Sequence, residues 1–472
     1  MKKNKLWMLV AAFAAVVLVL AACNNDENGD DEYIGFAPPG LEIDPDTVVD
    51  LGEGIVITYA NWNLGTEEEN NIERRMIQAF MDAHPGIIVE IHEGVSVYNG
   101  TPWQERLAVA ASIGDLPDVF MVNDIGFSVA GGWAYDLTAI ANADADFNAL
   151  PASMQDAMRL NGNVYMVPFA QHMFGYFVNT DLFDSLNLDA PTSGFSVEEL
   201  EAAIRATTDA AAGRIGTNHV NYFAAWGPGA LNADLGFFTF DGANLHVDAP
   251  EMVTALNLAM ELNTNGFVFD GLPYEQRAAF DGGWGGEVFF NGGMGLLFDG
   301  TWAVGNIDAQ SDFNWEFIGV PGGRPMVTLD VLNVSSTTAH AEAAFALANW
   351  MGSGTAGFTH RMELAAEMGT VVSALPISGN QAMLDQFWTT LGVDGIAVAY
   401  ENMANALIDP NKVTLGWRDT RFYTDTGITI GDYENANSWR FFYMAPQGVF
   451  NFADYLTRLN EAMQARFDDL NN

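Results

Sequence analysis

Tryptophans follow several predicted strands or lie in predicted loops, where a side chain can reach a ligand. The chain has 12 tryptophans. An indole ring packs against a flat apolar surface, and planar polar groups bind hydroxyl groups. These tryptophans are therefore candidates for ligand contact, although core packing is the alternative for any single tryptophan. The stacking candidates are Trp62 after the first predicted strand, Trp226 within Tyr222–Pro228, Trp302 in the segment FDGTW, and Trp284 in a glycine-flanked loop.

Polar side chains at predicted strand ends complete this candidate site. Gln171 and His172 interrupt the apolar segment Val164–Phe183, and two interpretations remain open: a pair at a strand edge, or polar groups at a hinge that face a cleft. Arg418 is consistent with binding the carboxylate of a ligand or with pairing to a surface acid. The polar candidates are Asn61, Asn123, Asp124, Gln171, His172 and Arg418.

The sequence lacks the motifs of common catalytic and metal sites. It has no Gly-x-Ser-x-Gly or His-Glu-x-x-His motif, and its seven histidines are scattered. With 61 acidic residues, two neighbouring carboxylates are expected by chance and do not indicate a glycosidase. Asp44-Pro45-Asp46 and Asp144-Ala145-Asp146 lack the twelve-residue calcium loop. We therefore predict no catalytic residue, no metal and no cofactor, and we do not expect an enzyme.

Alternating strands and helices must position these side chains. Strands are predicted over Gly54–Ala60, Ile87–Ile91 and Asp118–Val122, and helices are predicted to open at Thr66 and Thr101. Strands separated by helices indicate parallel βαβ units. Ligands of such sheets bind at the carboxyl ends of the strands, where Trp62 and Asp124 stand in the sequence.

The first 51 residues have the pattern of an exported, anchored protein. Three lysines precede the apolar run Leu6–Leu20, and small residues precede Cys23, the single cysteine. This pattern predicts a lipoprotein signal peptide over residues 1–22 and lipidation of Cys23, which would hold the protein at the extracytoplasmic face of the cell membrane. The acidic, aperiodic residues 23–51 are predicted to form a flexible tether.

The charge of the chain excludes one class of partner. The formal net charge is −43, and removal of the leader lysines makes it more negative. Such a surface repels phosphate backbones, so nucleic acid is not an expected partner. The length and the 49% hydrophobic content fit two large lobes.

Eight sequence blocks, in order, resemble the extracellular solute-binding proteins of sugar ABC importers, of the maltose-binding-protein-like branch. The resemblance covers about Gly54 to Pro376. The blocks are GIVITYANWN, AFMDAHPGIIVEIHE, SIGDLPDVFMVND, YDLT, GNVYMVPFA, YFVNTDLF, FFNGGMGLLFDGTW and HAEAAFALANWMGSG.

This resemblance implies an α/β fold of two lobes, with mixed, mostly parallel sheets flanked by helices and a hinge of several crossings. Lobe one is then expected over 52–168 and 332–378, and lobe two over 169–331 and 379–472. The expected partners are a carbohydrate ligand and an ABC permease, and a monomer is expected. Asp124 matches an aspartate that binds sugar hydroxyls in the family, whereas His172 stands where that branch carries a carboxylate. The alternatives are a glycan-active enzyme and a two-lobed receptor for a polyol or a metal ion.

Overall fold

The computed structural model describes residues 51, 52 and 54–471. The predicted signal peptide, Cys23 and all of the predicted tether except residue 51 lie outside the described residues. The strands are β1 Ile55–Ala60, β2 Ile87–Ile91, β3 Val119–Val122, β4 Arg159–Leu160, β5 Asn163–Val164, β6 Val167–Asn179, β7 Ile215–Thr217, β8 Met294–Gly300, β9 Trp315–Gly319, β10 Met326–Val334, β11 Leu407–Ile408, β12 Asp425–Ile430 and β13 Tyr433–Asn437.

Helices cover most of the remaining chain. The α-helices are Ile72–Ala83, Glu93–Ser96, Trp103–Ser112, Ile125–Ala130, Thr138–Ala143, Ala145–Ala149, Ala152–Ala157, Thr180–Ser185, Val197–Thr207, Phe223–Leu231, Pro250–Thr264, Tyr274–Arg277, Gly285–Phe290, Val304–Gln310, Ala341–Met351, Thr355–Glu367, Gln381–Leu391, Asp394–Tyr400, Trp417–Tyr423, Ser438–Met444 and Leu456–Asn471. Short 3₁₀ helices span Ala210–Ala212, Phe237–Thr239, Phe269–Gly271, Thr301–Ala303, Met403–Asn405, Ala445–Gln447 and Phe452–Asp454.

One mixed sheet organises the fold. Its strands follow the order β2-β1-β3-β10-β6-β8-β7, while β11 pairs with β10 and β9 pairs with β6. The predicted parallel pairing is confirmed, because β1 runs parallel to both β2 and β3. Strand β10 is antiparallel to β3 and to β6, and β8 is antiparallel to β6. The carboxyl ends of β1, β3 and β8 are followed by Trp62, Asp124 and Trp302, respectively.

The central strand β6 differs from its prediction. We expected two apolar stretches separated by Gln171 and His172, but Val167–Asn179 is one continuous strand in which every residue is buried. The backbones of Gln171 and His172 pair with Leu329 and Thr328 of β10. The two polar residues therefore lie inside the ladder, because their main-chain groups are paired and both faces of the strand are covered. Strand β6 passes directly into the helix Thr180–Ser185, which Asn179 caps by accepting from the Leu182 amide.

The first helix begins later than predicted. Thr66 and Glu69 form the expected reciprocal hydrogen bonds, with N–O distances of 2.8 and 3.3 Å. They close only a turn, because Asn70 has a positive φ of 40°, which a continuing helix does not allow. The helix starts at Ile72 instead, and Asn71 caps it through the Arg74 amide.

Candidate functional site

A cavity of about 480 Å³ lies against the middle of the sheet. It collects side chains from separate elements: Trp62 after β1, His172 from β6, Trp302 after β8 and Asp330 from β10. We call it the central cavity. Three of the candidates predicted from the sequence, Trp62, His172 and Trp302, therefore come together here.

The two tryptophans of the central cavity are held by other rings. The Trp302 ring lies 5.2 Å from the His172 ring and 5.0 Å from the Phe174 ring, centroid to centroid, and its residue is 42% exposed. Trp62 is half-buried and packs edge-on against Trp103 at 5.3 Å. Both indoles are thus fixed in position by aromatic neighbours while remaining open in part, which is the arrangement that stacks on an apolar ring face.

His172 is a neutral hydrogen-bonding group in this cavity. Burial lowers its pKa to about 4, and the nearby Asp330 carboxylate only partly offsets this effect. Its Nδ1 lies 3.2 Å from the Thr301 hydroxyl oxygen, which orients the ring. The main chain of Ser373 also hydrogen-bonds the ring. A neutral imidazole offers one donor and one acceptor, so a ligand hydroxyl would replace one of these two partners.

An ion pair between Lys412 and Asp330 stands at the cavity. The two side chains are 22% and 13% exposed, and the Lys412 ammonium lies 5.7 Å from the centroid of the Trp62 ring. The Lys412 carbonyl also accepts from the Ile125 amide at 3.1 Å. Sequence reasoning missed this residue as part of the site. The available signal was that Lys412 is the one lysine after Cys23.

Asp124 and Arg418 lie close enough to interact, but neither lines the central cavity. Asp124 caps the helix Ile125–Ala130 by accepting from the Gly126 and Phe127 amides at 2.9 and 3.4 Å. Burial raises the pKa of Asp124 to about 6, against the opposing effect of those hydrogen bonds and of Arg418. In neighbouring Asn123, the side-chain oxygen is buried and has no hydrogen-bond partner within the described chain.

Several predicted site residues have structural positions instead. We expected Trp226 in a loop, but it lies inside the helix Phe223–Leu231 and is 1% exposed, so its ring has no open face for a ligand. Asn61 is 0% exposed, because its side chain donates to the Tyr59 hydroxyl and accepts from the Asn63 amide. The predicted loop position of Trp226 is therefore wrong, and both side chains are buried in this structure.

Gln171 and Trp284 also stand apart from the central cavity. Gln171 is buried and, as the strand neighbour of His172, projects from the opposite face of β6. Trp284 is 51% exposed and packs edge-on against Phe290 at the start of its own helix. The structure does not bring either side chain to Trp62 and Trp302.

A second group of residues was missed entirely. Tyr222 packs against Phe174 and Phe298, at 5.1 and 5.3 Å between ring centroids. The charges of Asp409 and Arg421 act on the Tyr222 hydroxyl. Burial lowers the pKa of Arg421 to about 10, and its Nη1 has no hydrogen-bond partner in the described chain. The available signal was the aromatic run 222–226, from which we selected the larger tryptophan.

Residues 51, 52 and 54–471 contain no group of three or more histidine, cysteine, aspartate or glutamate side chains placed to hold a metal ion. Within the same residues, no helix combines the length and the apolarity that a membrane span requires.

The fold is similar to that of solved sugar-binding receptors. An ABC substrate-binding protein from Listeria monocytogenes in complex with cycloalternan matches with a TM-score of 0.68 and 20% identity, over 88% of this chain and 99% of that one. The GacH receptor of Streptomyces glaucescens, solved unliganded and with acarbose, gives 0.62 and 16%, over 88% and 98%. The maltose-maltodextrin binding protein of Alicyclobacillus acidocaldarius gives 0.59 and 15%, over 87% and 100%. This likeness confirms the predicted α/β, two-lobed fold class.

The sequence itself supports the same relationship. No curated protein matches the chain. Residues 65–356, more than half of the chain, match the family model described as bacterial extracellular solute-binding protein. The chain therefore belongs to the family of bacterial extracellular solute-binding proteins.

Proposed function

We propose that this protein captures a carbohydrate, an oligosaccharide, at the central cavity and delivers it to a membrane permease. The observation that carries the proposal is the pairing of two partly open indoles, Trp62 and Trp302, with the neutral imidazole of His172 in one cavity. Indoles match the apolar faces of sugar rings, and the imidazole matches their hydroxyls. The three similar receptors are named for, or were solved with, cycloalternan, acarbose and maltose or maltodextrin, which supports a saccharide ligand.

The residues have distinct roles in this proposal. Trp62 and Trp302 stack on sugar rings, and His172 exchanges hydrogen bonds with hydroxyl groups. The Lys412 ammonium lies over the Trp62 ring face that a sugar would use, so it must shift away when a sugar stacks there. This shift frees the Asp330 carboxylate from its ion pair, and the carboxylate then accepts a hydrogen bond from a sugar hydroxyl. Asp124 and Arg418 lie outside the lining of the central cavity, and they supply polar contacts to a ligand long enough to extend beyond it.

Ligand binding closes the two lobes in this mechanism. A ligand that contacts both lobes binds the closed form more tightly than the open form, and this difference in affinity is what shifts the equilibrium. Contacts made by Trp62 in the expected lobe one and Trp302 in the expected lobe two would supply that difference. The ligand leaves chemically unchanged, so the protein acts as a receptor rather than an enzyme.

The proposal also includes the location of the protein. A lipid on Cys23 anchors a monomer at the extracytoplasmic face of the membrane, where it meets the ABC permease. Cys23→Ser should move the protein from the membrane fraction to the medium or the wash fraction, and an unchanged membrane fraction would contradict lipid anchoring at this residue.

A thermal-shift screen of the purified protein tests the function. The panel contains mono-, di- and oligosaccharides, polyols and divalent metal ions. A ligand at 100 times its Kd adds about 2.7 kcal/mol to the free energy of unfolding, which moves the midpoint measurably. We expect a shift with one saccharide series, and chromatography should recover that saccharide intact. A shift with a metal ion alone, or cleavage of the saccharide, would overturn the proposal.

A further inference from the structure

A larger cavity, of about 1,120 Å³, lies outside the central cavity. It is lined by residues 219–221, 263–266, 270–273, 276, 277, 443, 446, 447 and 449, and shares none of them with the central cavity. All of these segments fall within the lobe two expected from the sequence. We call it the lateral cavity. A ligand held there would contact one lobe only and would not require closure.

The lateral cavity is nearly neutral in a strongly acidic protein. Among the described residues that line it, Asp270 is the one acid and Arg277 the one permanent cation. The Arg277 guanidinium already binds the main chain, because its Nε donates to the Leu272 carbonyl at 2.9 Å. Burial lowers the pKa of His219 to about 4, so its ring is neutral at neutral pH. The net charge of the whole chain is −43, yet the described residues that line the lateral cavity include one acid and one permanent cation. A lining without excess charge disfavours a strongly charged ligand.

Planar amides supply most of the polar lining. Asn221, Asn265, Gln276 and Gln447 line the cavity, and each is exposed to solvent. An amide side chain presents two donors and two acceptor positions in one plane, which suits vicinal hydroxyls. The Nδ1 of His219 is buried and has no hydrogen-bond partner within the described chain, and a ligand hydroxyl would satisfy it.

A supported aromatic ring stands at the edge of the lateral cavity. Tyr443 lines the cavity and is 46% exposed. Its ring stacks on that of Trp439, with centroids 5.1 Å apart and an interplanar angle of 11°. Trp439 covers one face of Tyr443 and fixes the ring, which leaves the other face for a ligand. The two residues are four apart on the helix Ser438–Met444, so the helix sets their stacking.

We propose that the lateral cavity is a second saccharide site, which binds a neutral oligosaccharide through Tyr443 and the surrounding amides. Large volume, balanced charge, planar amides and a supported aromatic ring together match a neutral polyhydroxylated ligand. This site holds a glycan at the protein without closing the lobes. The lateral cavity binds its ligand independently of the central cavity, and this proposal does not rest on the ligand proposed for the central cavity.

Isothermal titration calorimetry of the purified protein tests this proposal. The probes are the neutral tetrasaccharides maltotetraose, cellotetraose and xylotetraose, with tetragalacturonate as the charged comparison. We expect two sites per chain for at least one neutral probe and no second site for tetragalacturonate. Tyr443→Ala should weaken the second binding step by about tenfold or more, because it removes the aromatic anchor. Tyr423→Ala is the matched control, since Tyr423 is 58% exposed and lines neither cavity.

Two further variants make the result decisive. Gln276→Ala changes an exposed lining residue and tests the site even if Tyr443→Ala unfolds, which circular dichroism would reveal. Trp302→Ala should weaken the central step and leave the second step unchanged. One site per chain for every neutral probe, insensitive to Tyr443→Ala and Gln276→Ala, overturns the lateral site. If Trp302→Ala weakens binding at that single site, the function proposed for the central cavity stands and the lateral site does not. If no probe binds, both proposals fail for neutral tetrasaccharides.

Discussion

Replacing Trp302 by alanine should weaken saccharide binding far more than it harms the fold. The indole is 42% exposed beside the central cavity and is held by His172 and Phe174. Truncating an aromatic anchor in a binding site removes about 1–4 kcal/mol of binding free energy. That loss corresponds to an increase in Kd of about 5-fold to about 1,000-fold. Trp302→Phe keeps an aromatic face and should retain most of the affinity.

The effect on stability sets the control for this experiment. Complete burial would make a Trp→Ala change cost about 3–5 kcal/mol, and the open fraction of Trp302 reduces this to about 2–3 kcal/mol. Trp388→Ala should cost a similar amount, because Trp388 is half-buried between Phe387 and Tyr400, both with ring centroids 4.8 Å away. Trp388 lines neither cavity, so its variant should bind normally.

Calorimetry with the saccharide identified in the thermal-shift screen measures both variants. Circular dichroism and urea unfolding establish that each is folded at the titration temperature. A folded Trp302→Ala variant with wild-type Kd would remove Trp302 from the site. Equal weakening by Trp388→Ala would show that lost stability, rather than a lost contact, causes the effect.

Three charged positions give further predictions. Burial raises the pKa of Asp124 from 3.8 to about 6, so the folded protein binds the carboxyl proton more tightly than the unfolded chain does. Protonated Asp124 therefore stabilises the folded state at low pH, and this stabilisation is lost as the pH rises through 6. Asp124→Asn should therefore reduce the fall in unfolding free energy between pH 4 and pH 7 by about 1–3 kcal/mol in urea melts, and an unchanged pH profile would contradict this. Glu73→Gln leaves buried Arg361 without its carboxylate partner and should cost about 3–5 kcal/mol by the same method, whereas Glu73→Gln combined with Arg361→Met should recover much of the loss. Lys412→Met removes the ion pair to Asp330 and should cost about 1–2 kcal/mol, and a variant as stable as wild type at low salt would contradict a stabilising pair.

Much of the framework is predictable from local sequence. The strands near Gly54–Ala60 and Ile87–Ile91 are short apolar runs bounded by turn residues, and the structure has them at Ile55–Ala60 and Ile87–Ile91. The capping box of Ser196 and Glu199 is another local feature, because its hydrogen bonds join residues only three apart. Such features depend on neighbours in the sequence, so the sequence alone contains their causes.

The site is harder to predict because it depends on burial. Tyr222 and Trp226 lie four residues apart on one short segment, and the sequence favours the larger ring for stacking. The structure buries Trp226 against Tyr176 and Phe223 and leaves Tyr222 partly open. Which residue reaches a ligand is decided by tertiary packing, about which the local pattern of apolar residues says nothing.

The two long strands at the centre of the sheet constrain how the lobes can move. The first two lobe boundaries expected from the resemblance, after residue 168 and after residue 331, fall inside β6 and β10, which pair with each other from Met326 to Leu332. A motion there must bend or twist paired strands, since no loop interrupts either one.

The pairing is irregular at one point, between Asp330 and Val331, where the register shifts. The extra residue is Phe169 of β6, because Asp330 pairs with Ala170 and Val331 pairs with Pro168. The strand that carries the extra residue is the one that bends, so we expect the bending to concentrate in β6 at Phe169. Asp330 lies opposite this bulge and pairs with Lys412, whose ammonium lies over Trp62. Phe169 and Asp330 both line the central cavity. We therefore predict that a ligand in the central cavity, by contacting Phe169 or displacing Lys412 from Asp330, biases the bend of β6 and hence the movement of the lobes.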